Sequence, residues 1–486
     1  MLGWLLAHPW IAGAAAVAGS LVAGRRWLRR WANRAAARAA LRHRARIDRF
    51  KLTRKPFVTA ALLADERVAQ AVREHAVEHH LPKRLVWQRV EEYVDEIVPF
   101  FNIIAYYKIG HPISRLLLNL FYKVTVEHAA PGAQAALPRD AIVVYLMNHR
   151  SNADYVLVGY ALSGRVAISY AVGEWARAFP LEHIFKSFGA YFIRRRYREP
   201  LYHTVLERYV QLITRHGVTQ GIFPEGGLTR DGRLRPAKIG LLDYILGVGR
   251  DGGARKRMYV VPVAINYDRV LEDRSLLREL EARGGGRRTP LLQQLAEVTH
   301  YVLWNAARLL GGRWKRYGRA AVTIGEPVPL APWFAEQERR GASLFDLPRP
   351  ERLARVQALA DDAMSRIGAI IPVTPVPLAC AAIQSLGADF IGHRALLERM
   401  EEMRDVLVEL NARVLRADRD IAETFDRAWR MLRMRQILVR QGEGYAVLGR
   451  QRQLVAYYAN SIAHLLGPFE AGVRARDILP LEAILD

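Results

Sequence analysis

The chain has 486 residues, and a single core rarely grows past roughly 250–300, so at least two packed units are expected. Hydrophobic residues make up 51% and charged residues 25%, a balance that excludes disorder over most of the length. The net charge of +24 asks for anionic partners: nucleic acid, an anionic membrane face or phosphorylated substrates. The single cysteine, Cys380, excludes an internal disulfide framework, fits a reducing compartment and reads as a core residue.

Leu2 to Ala23 carry no formal charge, about the length a spanning helix needs. His8 and Pro9 interrupt this run. Between Arg25 and Lys55 stand thirteen Lys/Arg and one acid, Asp48. A cleaved leader has its basic residues before the apolar run, so this reversed order reads as a membrane anchor with the rest of the chain in the cytoplasm, in preference to a helix packed in a soluble core or a transit peptide. The Ala/Arg-rich arm after it suits an anionic headgroup layer. Residues 60–96 have helical periodicity with a break at Pro82. Residues 97–126 interleave Phe, Tyr and Leu with Lys108, Arg115 and Lys123, which suits an interfacial amphipathic element or an ordinary buried helix pair.

From Thr125 to Ile324 short β-branched runs alternate with helical stretches: residues 141–147, 166–170, 190–193, 221–223, 258–265 and 320–324. Alternation of this kind predicts an α/β unit with a mixed, mostly parallel sheet flanked by helices. Gly284-Gly-Gly286 marks a loop insertion, and Pro327 to Pro332 close the unit. From Glu351 to Asp486 the pattern is predominantly helical. The expected organisation is a hydrophobic anchor with a basic arm (1–55), a helical, interfacial region (56–124), the α/β domain (125–332) and a helical C-terminal domain (333–486).

Four segments of the α/β unit can do chemistry. Asn148-His149-Arg150-Ser151-Asn152-Ala153-Asp154 follows a strand, where open α/β sheets place ligands. In a continuous helix, positions five apart point ~140° from each other, so His149 and Asp154 meet only if the chain bends between them. The junction of strand, loop and helix supplies that bend. Asp154 would then orient the imidazole, and Ser151 or Asn152 could cap the helix. Gly189 to Arg196 is a strand ending in Arg194, Arg195 and Arg196, whose planar donors suit phosphate. Phe223-Pro-Glu225-Gly226-Gly227-Leu228-Thr229-Arg230 is a Gly-rich loop whose amides can approach an anion. Val260 to Tyr267 reads as a buried strand in which Pro262 shapes an edge or a pocket wall. Taken alone, each segment reads more readily as structure: a hydrogen-bonded His–Asp pair, a solvated charge cluster, a tight turn and a plain core strand.

In this order and spacing the four segments resemble the motifs of the glycerolipid acyltransferase superfamily: HxxxxD, GxxFIRR, an FPEGG-type loop and a late VPVxI strand. Pro372 to Leu378 and Tyr457-Tyr458-Ala-Asn460-Ser-Ile-Ala-His464 are similar to segments of membrane-bound bacterial glycerol-3-phosphate acyltransferases, which have a helical tail. Leu228 departs from that branch, which often carries Arg there; Arg230 or Arg233 could take its place. The resemblance implies acyl transfer from acyl-CoA or acyl carrier protein to glycerol 3-phosphate, giving lysophosphatidic acid. His149 would be the general base oriented by Asp154, with amides near this motif, or neighbouring polar groups, facing the oxyanion. Arg194, Arg195 and Arg230 would hold the substrate phosphate, with Thr229 contributing a hydroxyl, and Glu225 and Gly226 would shape that pocket. No metal or bound cofactor is implied, and the expected place is the cytoplasmic side of an inner membrane. A lysophosphatidate or glycerone-phosphate acyltransferase is the nearest alternative, and a membrane-associated nucleic-acid-binding protein or scaffold the non-enzymatic one.

Overall fold

The structure, a computed structural model, describes residues 55–101, 106, 110–162, 168–173, 181–194, 197–283 and 316–467. The expected N-terminal anchor and nearly all of its basic arm, Arg195, Arg196 and the 284–286 loop lie outside the described residues. Among the described residues, no helix is long and apolar enough to cross a membrane.

Three helices come first: α1 (Lys55–Leu63), α2 (Glu66–Glu78) and α3 (Lys83–Ile97). Asp65 caps α2 by accepting the Arg67 N–H at 3.0 Å, satisfying a donor that the first turn leaves unpaired. The same carboxylate pairs with Arg208 at 2.7 Å. The break falls at Pro82, directly before α3. Helix α4 (His111–Phe121) turns Ile113, Leu116 and Leu117 outward, between 45% and 68% exposed. It is therefore amphipathic with an unburied apolar side rather than half of a buried pair.

The central unit runs β1 (Lys123–His128), β2 (Ile142–Met147), α5 (Asp154–Ala161), β3 (Ser169–Gly173), α6 (Leu181–Ser187), β4 (Tyr191–Ile193), α7 (Pro200–Arg215), β5 (Gln220–Ile222), α8 (Gly240–Leu246), α9 (Gly252–Arg255), β6 (Met258–Tyr267), α10 (Asp273–Arg283), β7 (Arg319–Ile324) and β8 (Val328–Pro329). The strands form one sheet in the order β1-β7-β6-β2-β5-β3-β4, with β8 also on β6. Every pair is parallel except β6 with β7 and β6 with β8, so the fold is the mixed, mostly parallel α/β sheet its alternating pattern predicts. All six residues of β2 are buried, as a strand covered on both faces requires. Each large apolar side chain there contributes roughly 1.5–3 kcal/mol over staying in water.

Pro262 does not sit at a sheet edge. It lies inside β6, between β7 and β2, where the pairing of β6 passes from β8 to β7. Its carbonyl accepts the Gly325 N–H at 2.8 Å, so its nitrogen faces the break, where no ladder bond is asked of it. Gly325 must be glycine, because a Cβ would stand 2.6 Å from Pro262 Cγ.

The remainder is α11 (Ala331–Arg339), α12 (Arg349–Ala369), α13 (Pro375–Leu386), β9 (Phe390–Gly392), α14 (His393–Glu409), α15 (Ile421–Met434), β10 (Leu438–Gln441), β11 (Gly444–Val447) and α16 (Arg452–Asn460). This part is helical as expected, with one addition: β10, β11 and β9 form a small antiparallel sheet. Cys380 is buried within α13, where desolvation raises its thiol pKa.

Candidate functional site

The carboxyl ends of β6, β2 and β5 are neighbours, so the residues that follow them converge. After β2, Asn148 extends the pairing with its side chain. Its Nδ2 donates to Ile265 O at 2.9 Å, and its Oδ1 accepts the Ile265 N–H at 2.7 Å. This clamp fixes where the strand gives way to the loop.

His149 is next, buried at 1% exposure, its ring stacked on Phe223 with centroids 4.0 Å apart. Its Nδ1 lies 2.9 Å from Asp154 Oδ2. Beside a carboxylate Nδ1 carries the proton, so proton exchange with a substrate falls to Nε2. The bend is held by Asp154 itself: Oδ2 also accepts the N–H groups of Arg150 at 2.7 Å and Ser151 at 3.0 Å. Its Oδ1 accepts the Tyr267 hydroxyl at 2.6 Å. Burial holds that phenol well above its ordinary pKa, so it stays a donor. Helix α5 opens at Asp154 with Ala153 before it. Neither Ser151 nor Asn152 occupies that cap position; Ser151 Oγ instead accepts the Ala153 N–H at 3.1 Å.

Two more carboxylates grip the same loop. Glu225, after β5, accepts the His149 N–H on Oε1 at 2.8 Å and the Arg235 N–H on Oε2 at 3.1 Å. Glu272, after β6, accepts the Asn152 N–H on Oε1 at 3.1 Å and the Ser151 hydroxyl on Oε2 at 2.7 Å. Burial pushes the Glu225 carboxyl up to about 7, against the pull of both backbone donors and the Arg150 charge. Burial raises Glu272 as well, opposed by Ser151 and Asn152. The amides of residues 149–152 thus all donate to carboxylates. The amides of 149–152 are therefore engaged, and of the two expected sources of oxyanion donors the neighbouring polar groups remain.

The Gly-rich loop packs against this one. Thr229 N–H donates to His149 O at 3.2 Å. Its hydroxyl donates to Arg233 O at 2.7 Å, so Thr229 braces its own loop. Gly226 adopts φ +67°, and a Cβ there would stand 2.6 Å from Lys238 Cδ. Arg230 pairs with Glu279 of α10 at 3.0 Å. Arg150, 1% exposed, donates from Nη1 to Gly232 O and from Nη2 to Ser461 O at 3.1 Å. Gly232 has φ +86°, and a Cβ would collide with Tyr457 O.

The fold therefore brings together His149, Asp154, Glu225, Gly226, Thr229 and, on the same loop, Arg230. It does not bring Arg194 to them. Strand β4 lies three strands from β2, roughly 14 Å across the sheet. Arg194 makes a two-pronged pair with Glu96 of α3 (Nε–Oε1 2.9 Å, Nη2–Oε2 2.5 Å) among the rings of Tyr93, Tyr197 and Tyr202. Arg195, its neighbour in the motif, lies outside the described residues. Sequence reasoning assigned no role to Asn148, Arg150 or Lys238 and passed over Tyr267 and Glu272. The last two stand just after or at the end of the fourth motif strand, and that position was the one available signal.

Comparison with known proteins shows what the chain is similar to. A family model described as acyltransferase matches residues 132–266, and one described as glycerol-3-phosphate acyltransferase C-terminal region matches residues 303–468. A glycerol-3-phosphate acyltransferase of Aeromonas hydrophila is 27% identical over 422 residues, covering 85% of this chain and 50% of that one. One from Xanthomonas campestris pv. campestris is 28% identical over 421 residues, covering 85% and 46%. The chain spans about half the length of the curated relatives it matches. The crystal structure of a 1-acyl-sn-glycerophosphate (LPA) acyltransferase from Thermotoga maritima overlaps at TM-score 0.30 and 20% identity, covering 54% of this chain and 79% of that one, too slight a likeness to argue from.

Proposed function

We propose that this chain, which belongs to the glycerol-3-phosphate acyltransferase family of the glycerolipid acyltransferase superfamily, moves a fatty acyl group from acyl-CoA or acyl carrier protein to glycerol 3-phosphate. The observation that carries this reading is the His149–Asp154 pair, buried and held from three sides at the ends of three adjacent strands. Asp154 keeps the proton on Nδ1. Nε2 takes the proton of the acceptor hydroxyl as its oxygen attacks the thioester carbonyl. When the tetrahedral intermediate collapses, the C–S bond breaks and the imidazolium returns the proton to the leaving thiolate. The products are lysophosphatidic acid and the free thiol carrier. No metal or bound cofactor enters this scheme.

Phosphate recognition falls to Arg195 and to cations of the 226–238 loop, where Arg230 and Lys238 lie. Glu225 acts on the loop of His149 rather than on phosphate, since both its oxygens hold backbone donors. The enzyme works at the cytoplasmic face of an inner membrane, with residues 2–23 as anchor. The outward apolar side of α4 supports contact with lipid.

Purified protein incubated with palmitoyl-CoA, or acyl carrier protein loaded with palmitate, and in turn glycerol 3-phosphate, lysophosphatidate or glycerone phosphate tests the proposal. Consumption of glycerol 3-phosphate supports it. Preference for another acceptor moves the chain to that subclass, and no transfer with any pair removes the enzymatic reading.

A further inference from the structure

Residues 272 and 273 stand side by side where the chain enters α10, and their side chains reach two different parts of the molecule. Glu272 reaches back to the catalytic loop, at the Ser151 hydroxyl and the Asn152 N–H. Asp273, 2% exposed, reaches the C-terminal part. Both its oxygens accept from the Arg435 guanidinium, Nη2 to Oδ1 at 2.8 Å, and the Tyr458 hydroxyl of α16 donates to Oδ2. The Val270 N–H donates to that same hydroxyl at 3.1 Å. The backbone that carries Glu272 is thus anchored on both sides to the C-terminal helices.

The loop has a mechanical need that Glu272 meets. His149 and Asp154 touch only because the chain between them bends. Asp154 fastens the first half of the bend, at Arg150 and Ser151. In the second half the Asp154 N–H donates to Ser151 O at 3.0 Å and the Ala153 N–H to Ser151 Oγ at 3.1 Å, contacts internal to the loop that do not fix it to the rest of the molecule. Glu272 does, with one oxygen on Asn152 N–H and the other on the Ser151 hydroxyl. Arg150, buried between the Gly232 and Ser461 carbonyls, ties the loop to the same C-terminal segment.

We infer that Glu272 is a positioning residue, which fixes the catalytic loop against the C-terminal helices so that the imidazole faces the acceptor hydroxyl. It touches neither substrate nor the reacting atoms and acts through Ser151 and Asn152. The inference rests on the acyl-transfer reading above. A loop left to drift by about an ångström loses roughly 100-fold in rate while its substrate sites stay intact, because catalysis depends on near-attack geometry.

Steady-state kinetics and thermal melts of the full chain test it, on Glu272→Ala, Glu272→Gln, Ser151→Ala and the double variant Ser151→Ala/Glu272→Ala. Glu272→Ala should lower kcat by roughly 10- to 100-fold with KM for both substrates within about threefold. Glu272→Gln, which keeps an oxygen for Asn152 and can donate to Ser151 Oγ, should recover most of that loss. Ser151→Ala should lower kcat less, and should add little on top of Glu272→Ala. Wild-type kcat in Glu272→Ala, a loss that appears in KM alone, or fully additive Ser151 and Glu272 effects would each overturn the inference. If Glu272→Ala does not fold, Ser151→Ala still decides: reduced kcat at unchanged KM supports it, and wild-type kcat refutes it. A wild-type chain with no transferase activity overturns the acyl-transfer reading as well, whereas an active wild type with an indifferent Glu272 overturns this inference alone.

Discussion

At the end of β2 a carboxylate holds an imidazole; at the end of β4 another carboxylate holds a guanidinium. The two arrangements look alike and do opposite things. Asp154 engages His149 at Nδ1, and in the proposed reaction proton exchange falls to the other nitrogen, so there the contact prepares the ring for work. Glu96 takes Arg194 through two nitrogens while three tyrosine rings pack around it, so the contact neutralises the cation and fastens α3 to the sheet. The Glu96 contact raises the Arg194 pKa, which keeps the pair charged and bound. A charged residue at a strand end acquires its role from what the neighbouring elements bring to it.

The largest effect that tests this contrast is expected at Asp154. Asp154→Asn removes the carboxylate charge that favours the proton on Nδ1 and would stabilise the imidazolium. Activity should fall by roughly 10³–10⁴-fold, measured at a temperature where the variant is fully folded. A loss below tenfold would mean that the pair is structural, like the one at β4.

Arg194→Gln should do the reverse. It removes the guanidinium that faces the buried Glu96 carboxylate, so stability should fall by about 2 kcal/mol, less than for a fully buried pair because Arg194 is part-exposed. KM for glycerol 3-phosphate should stay within about twofold, since the guanidinium does not serve phosphate. A tenfold rise in KM at unchanged melting temperature would break the contrast.

A smaller effect is expected at Glu225. Its folded pKa of about 7 lies above the ordinary carboxylate value, so the native state binds the extra proton between pH 4.5 and 7. Its contribution to stability is therefore present at low pH and is lost as pH rises through 7. Against wild type, Glu225→Gln should flatten the decline in melting temperature between pH 5 and 7. The relieved difference is at most about 3 kcal/mol. Parallel pH profiles for the two proteins would show that Glu225 is charged throughout.

Much of the sheet was legible because strands covered on both faces read as unbroken apolar runs. β1 escaped as a strand because Lys123-Val-Thr-Val-Glu-His128 is an edge with polar alternation, and its residues are only part-buried. β10 escaped as a four-residue, mostly exposed edge strand, and β11, though mostly buried, as a run of only four residues after the turn at Gly442. Within the site, His149 and Asp154 announced themselves by local spacing. Tyr267 and Glu272 could not, because they reach the loop from 113 and 121 residues away in sequence. Arg194 misled for the converse reason: Glu96, its partner, lies 98 residues upstream on a helix with no motif of its own. Local patterns report the chemistry a residue can do, and tertiary partners decide whether it is left able to do it.

Single-turnover transfer from palmitoyl-CoA to glycerol 3-phosphate, compared between wild type and His149→Ala at matched melting temperature, tests the central claim most directly. The account predicts lysophosphatidic acid from wild type and a rate at least about a thousandfold lower from the variant. Near-normal transfer by His149→Ala would contradict it.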